Sequence, residues 1–233
     1  MRDEKAASKI LGLPPGDPTI EEYLNQEGAV LTNGHFIYTG GMHGTAYINM
    51  RAVAQDAYWL QTTIGGYLGT VLNGYGPGLV IGPEALGRNL AQVVGSFLKI
   101  PAIWCDVDET DGNKRATFSP KFGFGRLVRG KRVVIVDDLL TTGSSIKLVS
   151  RLVADSGGNV VAAGVVVRRS PEVTAWDCDV PELRVLVDVD GFEVFTPKQC
   201  AERGPCSKQV PVVLRPGHGY KWVLDHPRYP VAS

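Results

Sequence analysis

Short apolar runs alternate with stretches of helical spacing along most of the chain, and this pattern predicts alternating strands and helices. Residues 133–136 form an unbroken β-branched run, which is typical of a strand buried on both faces. Apolar residues then recur at three-to-four spacing between 146 and 153, which predicts a helix that ends at the two following glycines. Because strand and helix patterns alternate, we expect an α/β fold with a central parallel sheet flanked by helices. Further strands are predicted at 78–81, 101–107, 159–167 and 183–189, and a further long helix at 54–72.

The turn after the 133–136 strand carries two adjacent acids, Asp137 and Asp138, and then a small, hydroxyl-rich run. A helix N-terminus offers free backbone N–H groups and the positive end of the helix dipole, and both favour phosphate. Since the acids would repel a phosphate, we expect them to accept hydrogen bonds from vicinal sugar hydroxyls or to help hold Mg²⁺. Together these features indicate a phosphorylated ribose as the ligand. The hydroxyl-rich run supplies donors and a glycine that permits close approach, and it consists of Thr141, Thr142, Gly143, Ser144 and Ser145.

A second strand–turn–helix pattern follows the 78–81 strand, and its turn reads GPEALGR. The arrangement repeats the one that favours phosphate at a helix N-terminus. Gly82, Pro83 and Gly87 are candidate contacts, and Gly87 is best suited to a close approach of the backbone. Arg88 is either a phosphate ligand or a solvated helix residue, and the residue pattern leaves both interpretations open.

Length, charge and cysteine content narrow the class of protein. At 233 residues the chain is long enough for one large domain, or for a core with a small extra lobe. Lysine plus arginine equals aspartate plus glutamate, at 24 each, so no strong field favours nucleic acid or an anionic membrane. No apolar run approaches the length of a membrane span, and the N-terminus lacks a signal-peptide core, so we expect a cytoplasmic protein. Four cysteines are too few for a disulfide scaffold of this size.

Residues 133–145, VVIVDDLLTTGSS, resemble the signature of the type I phosphoribosyltransferases, which bind 5-phosphoribosyl-1-pyrophosphate (PRPP). The resemblance implies the fold of that family, a parallel sheet with a small N-terminal hood lobe. It implies that Asp137 and Asp138 contact PRPP and Mg²⁺, the metal either directly or through PRPP. It also implies that the hydroxyl-rich run binds PRPP and that the GPEALGR turn holds pyrophosphate through backbone amides.

Residues 34–47, GHFIYTGGMHGTAY, resemble the hood lobe of orotate phosphoribosyltransferases. The resemblance implies that Phe36, His43 and Tyr47 bind the base. For Tyr47, a place among ordinary core aromatics explains the residue equally well.

The strand predicted at 159–167 ends in Arg-Arg-Ser, where the same family has Asp-Arg-Ser. The resemblance implies that Arg169 binds the carboxylate of orotate, and a bidentate pair of this kind would select an acid over plain uracil. Three positions depart from the family pattern: Gly40 replaces a serine, Met42 a basic residue and Arg168 an acid. Losing the basic residue removes a charge-assisted contact worth roughly 1.5–3 kcal/mol. Two alternatives therefore stay open, a phosphoribosyltransferase for another base and a non-catalytic regulator that binds PRPP or nucleotide.

Residues 106–129 are charged, glycine-containing and poorly periodic, which predicts a long loop that is functional or disordered. In the family that the chain resembles, the loop here is mobile, closes over PRPP and brings cations to the pyrophosphate. Lys114 is the candidate for PRPP binding, and Arg115 and Lys121 join the two acids as candidates for catalysis. A solvated surface charge is the alternative for each of these cations.

The resemblance covers nearly the whole chain, from about residue 18 to about residue 222. It predicts a tail at 1–17, a hood lobe at 18–53, a PRPP-binding core at 54–195 and an extension at 196–233 that packs on the core. The implied reaction transfers the phosphoribosyl group from PRPP to orotate and gives orotidine 5′-monophosphate and pyrophosphate. It implies Mg²⁺ as cofactor and a homodimer as the assembly.

The C-terminal segment contains Cys200 and Cys206, with His218 nearby. Zinc binding by these three residues is an open alternative to a plain structural role. The signal is weak, because a structural zinc site takes four ligands and its cysteines are usually more closely spaced. Cys105 lies in an apolar run, and we expect it to be buried.

Overall fold

The computed structural model describes residues 20–110, 113–119, 121–189 and 191–232. These residues form two compact units. The sheet unit contains Ala54–Asp190, and the lobe unit contains Glu22–Val53 together with the C-terminal residues from Gly191 onward. The C-terminal residues therefore belong to the same compact unit as the N-terminal lobe, and packing of the C-terminal extension on the core stays a prediction. The predicted tail at 1–17 lies outside the described residues.

The described strands and helices are numbered here in chain order. The strands are β1 (Val30–Leu31), β2 (Phe36–Ile37), β3 (His43–Gly44), β4 (Tyr47–Ile48), β5 (Leu79–Pro83), β6 (Ala102–Thr110), β7 (Asn113–Thr117), β8 (Arg132–Leu140), β9 (Asn159–Arg168), β10 (Leu183–Asp188) and β11 (Val194–Phe195). The α-helices are α1 (Ile20–Gln26), α2 (Met50–Val53), α3 (Ala57–Trp59), α4 (Gly65–Asn73), α5 (Leu86–Leu98), α6 (Phe124–Val128), α7 (Ser144–Asp155), α8 (Pro197–Arg203) and α9 (Gly219–Asp225). A π-helical turn joins α3 to α4, and 3₁₀ turns lie at Thr39–Gly41 and Pro205–Lys208.

The sheet unit is built on six strands in the order β10-β9-β8-β5-β6-β7. All neighbouring pairs are parallel except β6 and β7, which form an antiparallel hairpin. The predicted α/β fold with a central, mostly parallel sheet is therefore confirmed. Its central strands are apolar because helices cover both of their faces.

Packing on the two faces of the sheet follows the alternation of side chains along β8 and β9. On one face, Ile135 of β8 belongs to the same buried cluster as Ile146 and Val149 of α7. On the other face, a β-carbon at Gly164 of β9 would lie only 2.9 Å from a methyl carbon of Leu72 in α4. The helices thus bury both faces and leave the carboxyl ends of the strands for a binding site.

The lobe unit joins two parts of the chain that are distant in sequence. β1 pairs with β4, and β3 pairs with both β2 and β11. Two isolated bridges link His35 to Val212 and Val212 to Val231. Strand pairing therefore ties the C-terminal segment to the N-terminal hairpin within this unit. None of the helices in the described ranges has the length and apolarity that a membrane span requires.

Candidate active site

The candidate site is built where β8 runs into α7. The sequence predicts a strand over residues 133–136 that ends before the two acids, but β8 continues to Leu140. The reason is its pairing with β9, which places Asp137 opposite Val165 and Leu140 opposite Arg168. Asp137 and Asp138 therefore lie within the hydrogen-bonded part of β8, near the carboxyl end of this central strand.

The carboxylate of Asp137 is almost completely buried, with 8% of the residue exposed. Its Oδ1 accepts a hydrogen bond from the backbone N–H of Asp138, at 2.9 Å. Burial, followed by the charge of Asp138, holds the pKa of Asp137 well above its ordinary value. The carboxyl groups of the buried Asp137 and the half-buried Asp138 fit Mg²⁺ or a sugar diol, because either partner would offset their repulsion.

Gly143 turns the chain from the hydroxyl-rich run into α7. Its φ of 76° lies in the left-handed region, which glycine adopts without steric cost. A β-carbon here would also lie 2.8 Å from the Sγ of Cys178. Two independent constraints therefore select glycine at this position.

The first turn of α7 borders a concavity of about 190 Å³ that is open to solvent. The hydroxyl of Thr142 donates to Oγ of Ser144 at 3.1 Å, and the backbone N–H of Lys147 donates to the carbonyl of Gly143 at 2.9 Å. The residues before Lys147 form the helix N-terminus, where backbone N–H groups suit an anion. The wall consists of Asp137, Leu139, Leu140, Thr141, Thr142, Gly143, Ser144, Ser145 and Ile146. The structure thus brings Asp137 together with the hydroxyl-rich run that the sequence singled out, whereas Asp138 is not part of this wall.

The GPEALGR turn links β5 to α5, as predicted, and its glycines are required by packing. A β-carbon at Gly82 would overlap the carbonyl group of Gly87. A β-carbon at Gly87 would lie 2.6 Å from Cδ of Pro83 and 3.1 Å from the carbonyl oxygen of Val136 in β8. The turn is therefore packed directly against the strand that carries the two acids.

Arg88 extends from the first turn of α5, and its side chain contacts Glu84 and Trp104. Its Nη1 lies 3.2 Å from Oε1 of Glu84, and its guanidinium carbon lies 4.0 Å from the ring centroid of Trp104. The side chain is exposed, so these contacts leave it accessible to solvent. Its role as a phosphate ligand stays a prediction.

Arg169 follows β9 directly, beside the end of β8. Its backbone N–H donates to the carbonyl of Leu140 at 2.9 Å, and the residue is half-buried. This bond fixes the Arg169 backbone next to the segment that leads into the hydroxyl-rich run. Its contact with a base carboxylate stays a prediction.

The predicted long loop at 106–129 is largely regular structure, so that expectation was wrong. β6 and β7 form a hairpin in which Asp108 pairs with Arg115, and α6 follows. Aromatic contacts support this segment, because the rings of Phe122 and Phe124 lie 5.2 Å and 4.8 Å from that of Trp104. Sequence periodicity missed the hairpin because its strands carry charged residues on an exposed edge.

The cations of this segment have different local structures. Lys114 and Arg115 lie on β7 and are exposed, and Lys121 lies in the turn before α6 and is also exposed. The hairpin holds the first two on one strand rather than on an irregular loop. Their catalytic and PRPP-binding roles stay predictions.

The predicted base-binding residues of the hood fall in the lobe unit. Phe36 is buried and its ring lies 5.7 Å from that of Tyr47, which is half-buried. His43 is 1% exposed, with its Nδ1 2.8 Å from Nε2 of His35. Burial lowers the pKa of His43 to about 4, so its ring is neutral near pH 7. This environment argues against our prediction that His43 binds the base.

Sequence reasoning missed two residues that support the site. Asp188 pairs with Arg168 at the ends of neighbouring strands, and Cys178 packs against Gly143. The sequence contained a signal for the pairing of Arg168 with Asp188, because both residues lie at the ends of predicted strands. It contained no signal for the contact of Cys178 with Gly143, because the segment around Cys178 shows no periodicity.

Comparison with known proteins adds a decisive observation. Residues 63–197, more than half of the chain, match the phosphoribosyl transferase domain family. The chain belongs to this family. A curated relative from Thermotoga maritima, named orotate phosphoribosyltransferase, is 30% identical over 198 residues, which is 85% of this chain and 97% of the relative. This relative places the chain among the orotate phosphoribosyltransferases within the family.

Two solved structures share this fold. The orotate phosphoribosyltransferase from Aeropyrum pernix is 26% identical, has a TM-score of 0.54, and covers 79% of this chain and 97% of its own. The adenine phosphoribosyltransferase from Thermoanaerobacter pseudethanolicus is 20% identical, has a TM-score of 0.55, and covers 72% of this chain and 99% of its own. Because the two TM-scores are almost equal, the phosphoribosyltransferase fold alone does not select the base.

Proposed function

We propose that this phosphoribosyltransferase transfers the 5-phosphoribosyl group from PRPP to orotate. The products are orotidine 5′-monophosphate and pyrophosphate, which places the reaction in pyrimidine nucleotide biosynthesis. The proposal rests on one observation above the others. An acid pair, the buried Asp137 and the half-buried Asp138, lies near the end of a central strand, and Asp137 lines a hydroxyl-rich concavity at a helix N-terminus.

The concavity suits the 5-phosphate of the donor, because the first turn of α7 supplies backbone N–H groups and the run from Thr141 to Ser145 supplies hydroxyl groups. In this proposal, Asp137 and Asp138 would accept hydrogen bonds from the vicinal hydroxyls of the ribose. Gly82 and Gly87 keep the second turn close to β8, where its backbone amides would contact pyrophosphate. Each part of PRPP thus has a matching chemical partner in the sheet unit.

In the proposed reaction, a ring nitrogen of orotate loses its proton to solvent or to the leaving pyrophosphate and forms a bond to C1 of the ribose, while the bond from C1 to the pyrophosphate oxygen breaks. The pyrophosphate leaves with the bonding electrons, so negative charge grows on it. Mg²⁺, when bound, would stabilise that charge, and Asp137 and Asp138 are the residues that would hold it, directly or through PRPP. The exposed cations Lys114, Arg115 and Lys121 are candidates to add positive charge. Neither acid needs to act as a nucleophile.

Orotate is the proposed acceptor because of the named relatives and because of Arg169. The backbone of Arg169 lies beside the end of β8, and its guanidinium would offer a bidentate partner for the carboxylate that distinguishes orotate from uracil. Met42 stands where the resemblance predicts a basic residue. This difference favours a second candidate function, a phosphoribosyltransferase for a different heterocycle.

The test is orotate absorbance followed over time with purified protein, PRPP and Mg²⁺. A fall that depends on PRPP and on Mg²⁺ supports the proposal. No change with orotate, together with turnover of another heterocycle, would support the second candidate. PRPP binding measured by calorimetry without turnover of any base would overturn catalysis and leave a regulator of the same fold.

We further propose a homodimer in the cytoplasm, as the family resemblance implies. Light scattering coupled to gel filtration tests the assembly, with a mass twice the chain's 25.1 kDa as the expected value.

A further inference from the structure

Four side chains of types that bind metals lie close together in the lobe unit, whereas the acid pair belongs to the sheet unit. They are His35, His43, Cys200 and Cys206. One ligand atom from each lies within 4.8 Å of the ligand atoms of all the others. Three of the residues are buried and Cys206 is half-buried. We propose that these four side chains bind a structural Zn²⁺ ion.

The spacing of the ligand atoms matches a tetrahedral site. Bonds of about 2.3 Å to sulfur and about 2.0 Å to nitrogen place tetrahedral ligand atoms roughly 3.3–3.8 Å apart. Nε2 of His35 lies 2.8 Å from Nδ1 of His43, 3.9 Å from Sγ of Cys200 and 3.7 Å from Sγ of Cys206. Sγ of Cys206 lies 3.4 Å from Nδ1 of His43. The remaining pairs of ligand atoms lie within 4.8 Å of each other, so shifts of about 1 Å or less would bring the four atoms onto one ion.

The groups around the cluster orient it as outer-shell partners of a metal site do. Nδ1 of His35 lies 3.1 Å from the carbonyl oxygen of Val210, so it donates there and turns its Nε2 lone pair toward the cluster. The backbone N–H of Cys206 donates to Sγ of Cys200 at 3.2 Å, which stabilises negative charge on that sulfur. Both contacts favour the states in which imidazole and thiolate bind metal.

Local backbone structure brings the two cysteines together despite their wide spacing in sequence. A capping box between Thr196 and Gln199 starts α8, which carries Cys200, and a 3₁₀ turn then carries Cys206. Between them, Gly204 has no room for a side chain, since a β-carbon there would lie 2.8 Å from Cα of Cys200. The chain therefore folds back tightly enough for both sulfurs to face the same point.

Aromatic rings cover the cluster and restrict access of water. The Trp222 ring centroid lies 5.4 Å from that of His43, and the Tyr229 ring centroid lies 5.5 Å from that of His35. Two sulfur and two nitrogen ligands with tetrahedral spacing are typical of zinc. Four protein ligands leave no open position for a substrate, so we assign the ion a structural role.

The proposed ion would join the N-terminal hairpin to the C-terminal segment, whose ligands are more than 150 residues apart in sequence. In the unfolded chain such a connection does not exist, so the binding free energy of the metal would contribute to folding. Our sequence reasoning had named His218 as the nearby histidine. The cluster uses His35 and His43 instead, because strand pairing carries the hairpin to the cysteines.

The test is the zinc content of the wild-type protein, measured by plasma mass spectrometry after expression with added zinc and exhaustive gel filtration. We expect one zinc per chain, and reconstitution with Co²⁺ should give the strong visible bands of a tetrahedral site with thiolate charge transfer. Chelation should lower the melting temperature in buffer that contains neither Mg²⁺ nor PRPP.

Matched variants separate the site from general effects of losing a cysteine. Cys206→Ser should lose the zinc, whereas Cys105→Ala, at a buried cysteine of the sheet unit, should retain it. If Cys206→Ser does not fold, the zinc content and the Co²⁺ spectrum of the wild-type protein still test the proposal. A wild-type protein that is folded by circular dichroism but binds neither Zn²⁺ nor Co²⁺, or that contains a Cys200–Cys206 disulfide, would overturn the proposal.

Discussion

The guanidinium of Arg168 forms a two-point contact with the carboxylate of Asp188. Nε lies 2.6 Å from Oδ1, and Nη2 lies 3.1 Å from Oδ2. The two residues are direct partners in the parallel pairing of β9 and β10, and Nη1 also donates to the carbonyl of Val173 at 3.0 Å. Arg168 departs from the family pattern, and this contact gives it a structural role: it links β9 to the edge strand β10.

The pair should therefore stabilise the fold measurably. In a double-mutant cycle with Arg168→Ala and Asp188→Ala, we expect a coupling free energy of about 1 kcal/mol, from urea unfolding, because the contact is bidentate. The control cycle uses Arg151 and Asp179, which lie 4.0 Å apart with more than half of each side chain exposed, and should show almost no coupling. Equal coupling in both cycles would contradict this role for Arg168.

The second prediction concerns the acid pair. Asp138→Asn should weaken PRPP binding in the presence of Mg²⁺ by about 10- to 100-fold, since a charge-assisted contact is worth roughly 1.5–3 kcal/mol. Isothermal calorimetry measures the affinity directly. Asp155→Asn, at an exposed acid at the far end of α7, should leave it unchanged. Unchanged affinity in Asp138→Asn would remove that residue from the donor site.

Local sequence patterns predicted the strands of the sheet and the position of the hydroxyl-rich run well, because both leave a signal in consecutive residues. The apolar run of β8, the acids and the hydroxyl-rich run are contiguous, and one strand–turn–helix unit places them all. Gly87 was also identifiable, since a turn that packs against a neighbouring strand demands a residue without a side chain. Their order along the chain is visible in local patterns, although their final packing also depends on neighbouring strands.

What the sequence did not reveal depends on long-range pairing. The lobe unit joins residues 22–53 to the C-terminal segment, and no local pattern encodes that connection. The same connection gives His43 its buried neighbours and supplies two histidines to the cysteines. The β6–β7 hairpin was missed for another reason, because a charged edge strand lacks the apolar alternation that marks a half-buried one.

The third prediction tests the packing of the second turn. Gly87→Ala should cost about 1–3 kcal/mol of folding free energy, because its β-carbon meets Pro83 and the carbonyl of Val136. It should also weaken PRPP binding by displacing the turn. Gly66→Ala is the matched control, since its β-carbon would lie at an ordinary 3.9 Å from Phe97 in a helix interior. Urea unfolding should show that this control is neutral or more stable, by up to about 1 kcal/mol.

The fourth prediction concerns pH and Cys178, whose pKa burial raises to about 11. Between the ordinary thiol pKa of about 8.5 and this value, the unfolded chain loses the proton while the folded chain keeps it. The contribution of the neutral thiol to stability is therefore complete below about pH 8.5 and is lost as the pH rises toward 11. We expect the free energy of unfolding of the wild type to fall, relative to Cys178→Ala, by up to about 3 kcal/mol over this range. Parallel pH profiles for the two proteins would contradict the buried-thiol interpretation.

The last prediction separates acceptor binding from donor binding at Arg169. If its guanidinium binds the carboxylate of orotate, Arg169→Ala should raise the KM for orotate by about 10- to 100-fold and leave the affinity for PRPP nearly unchanged. Arg169→Lys should recover only part of the loss, because an ammonium group keeps the charge but cannot form the planar two-point contact. Initial rates at varied orotate, with calorimetry for PRPP, measure both quantities, and Arg151→Ala on the exposed face of α7 serves as the charge control. An equal loss for both ligands would contradict a specific contact with the carboxylate of orotate, because Arg169→Ala removes only the side chain and keeps the backbone bond to Leu140.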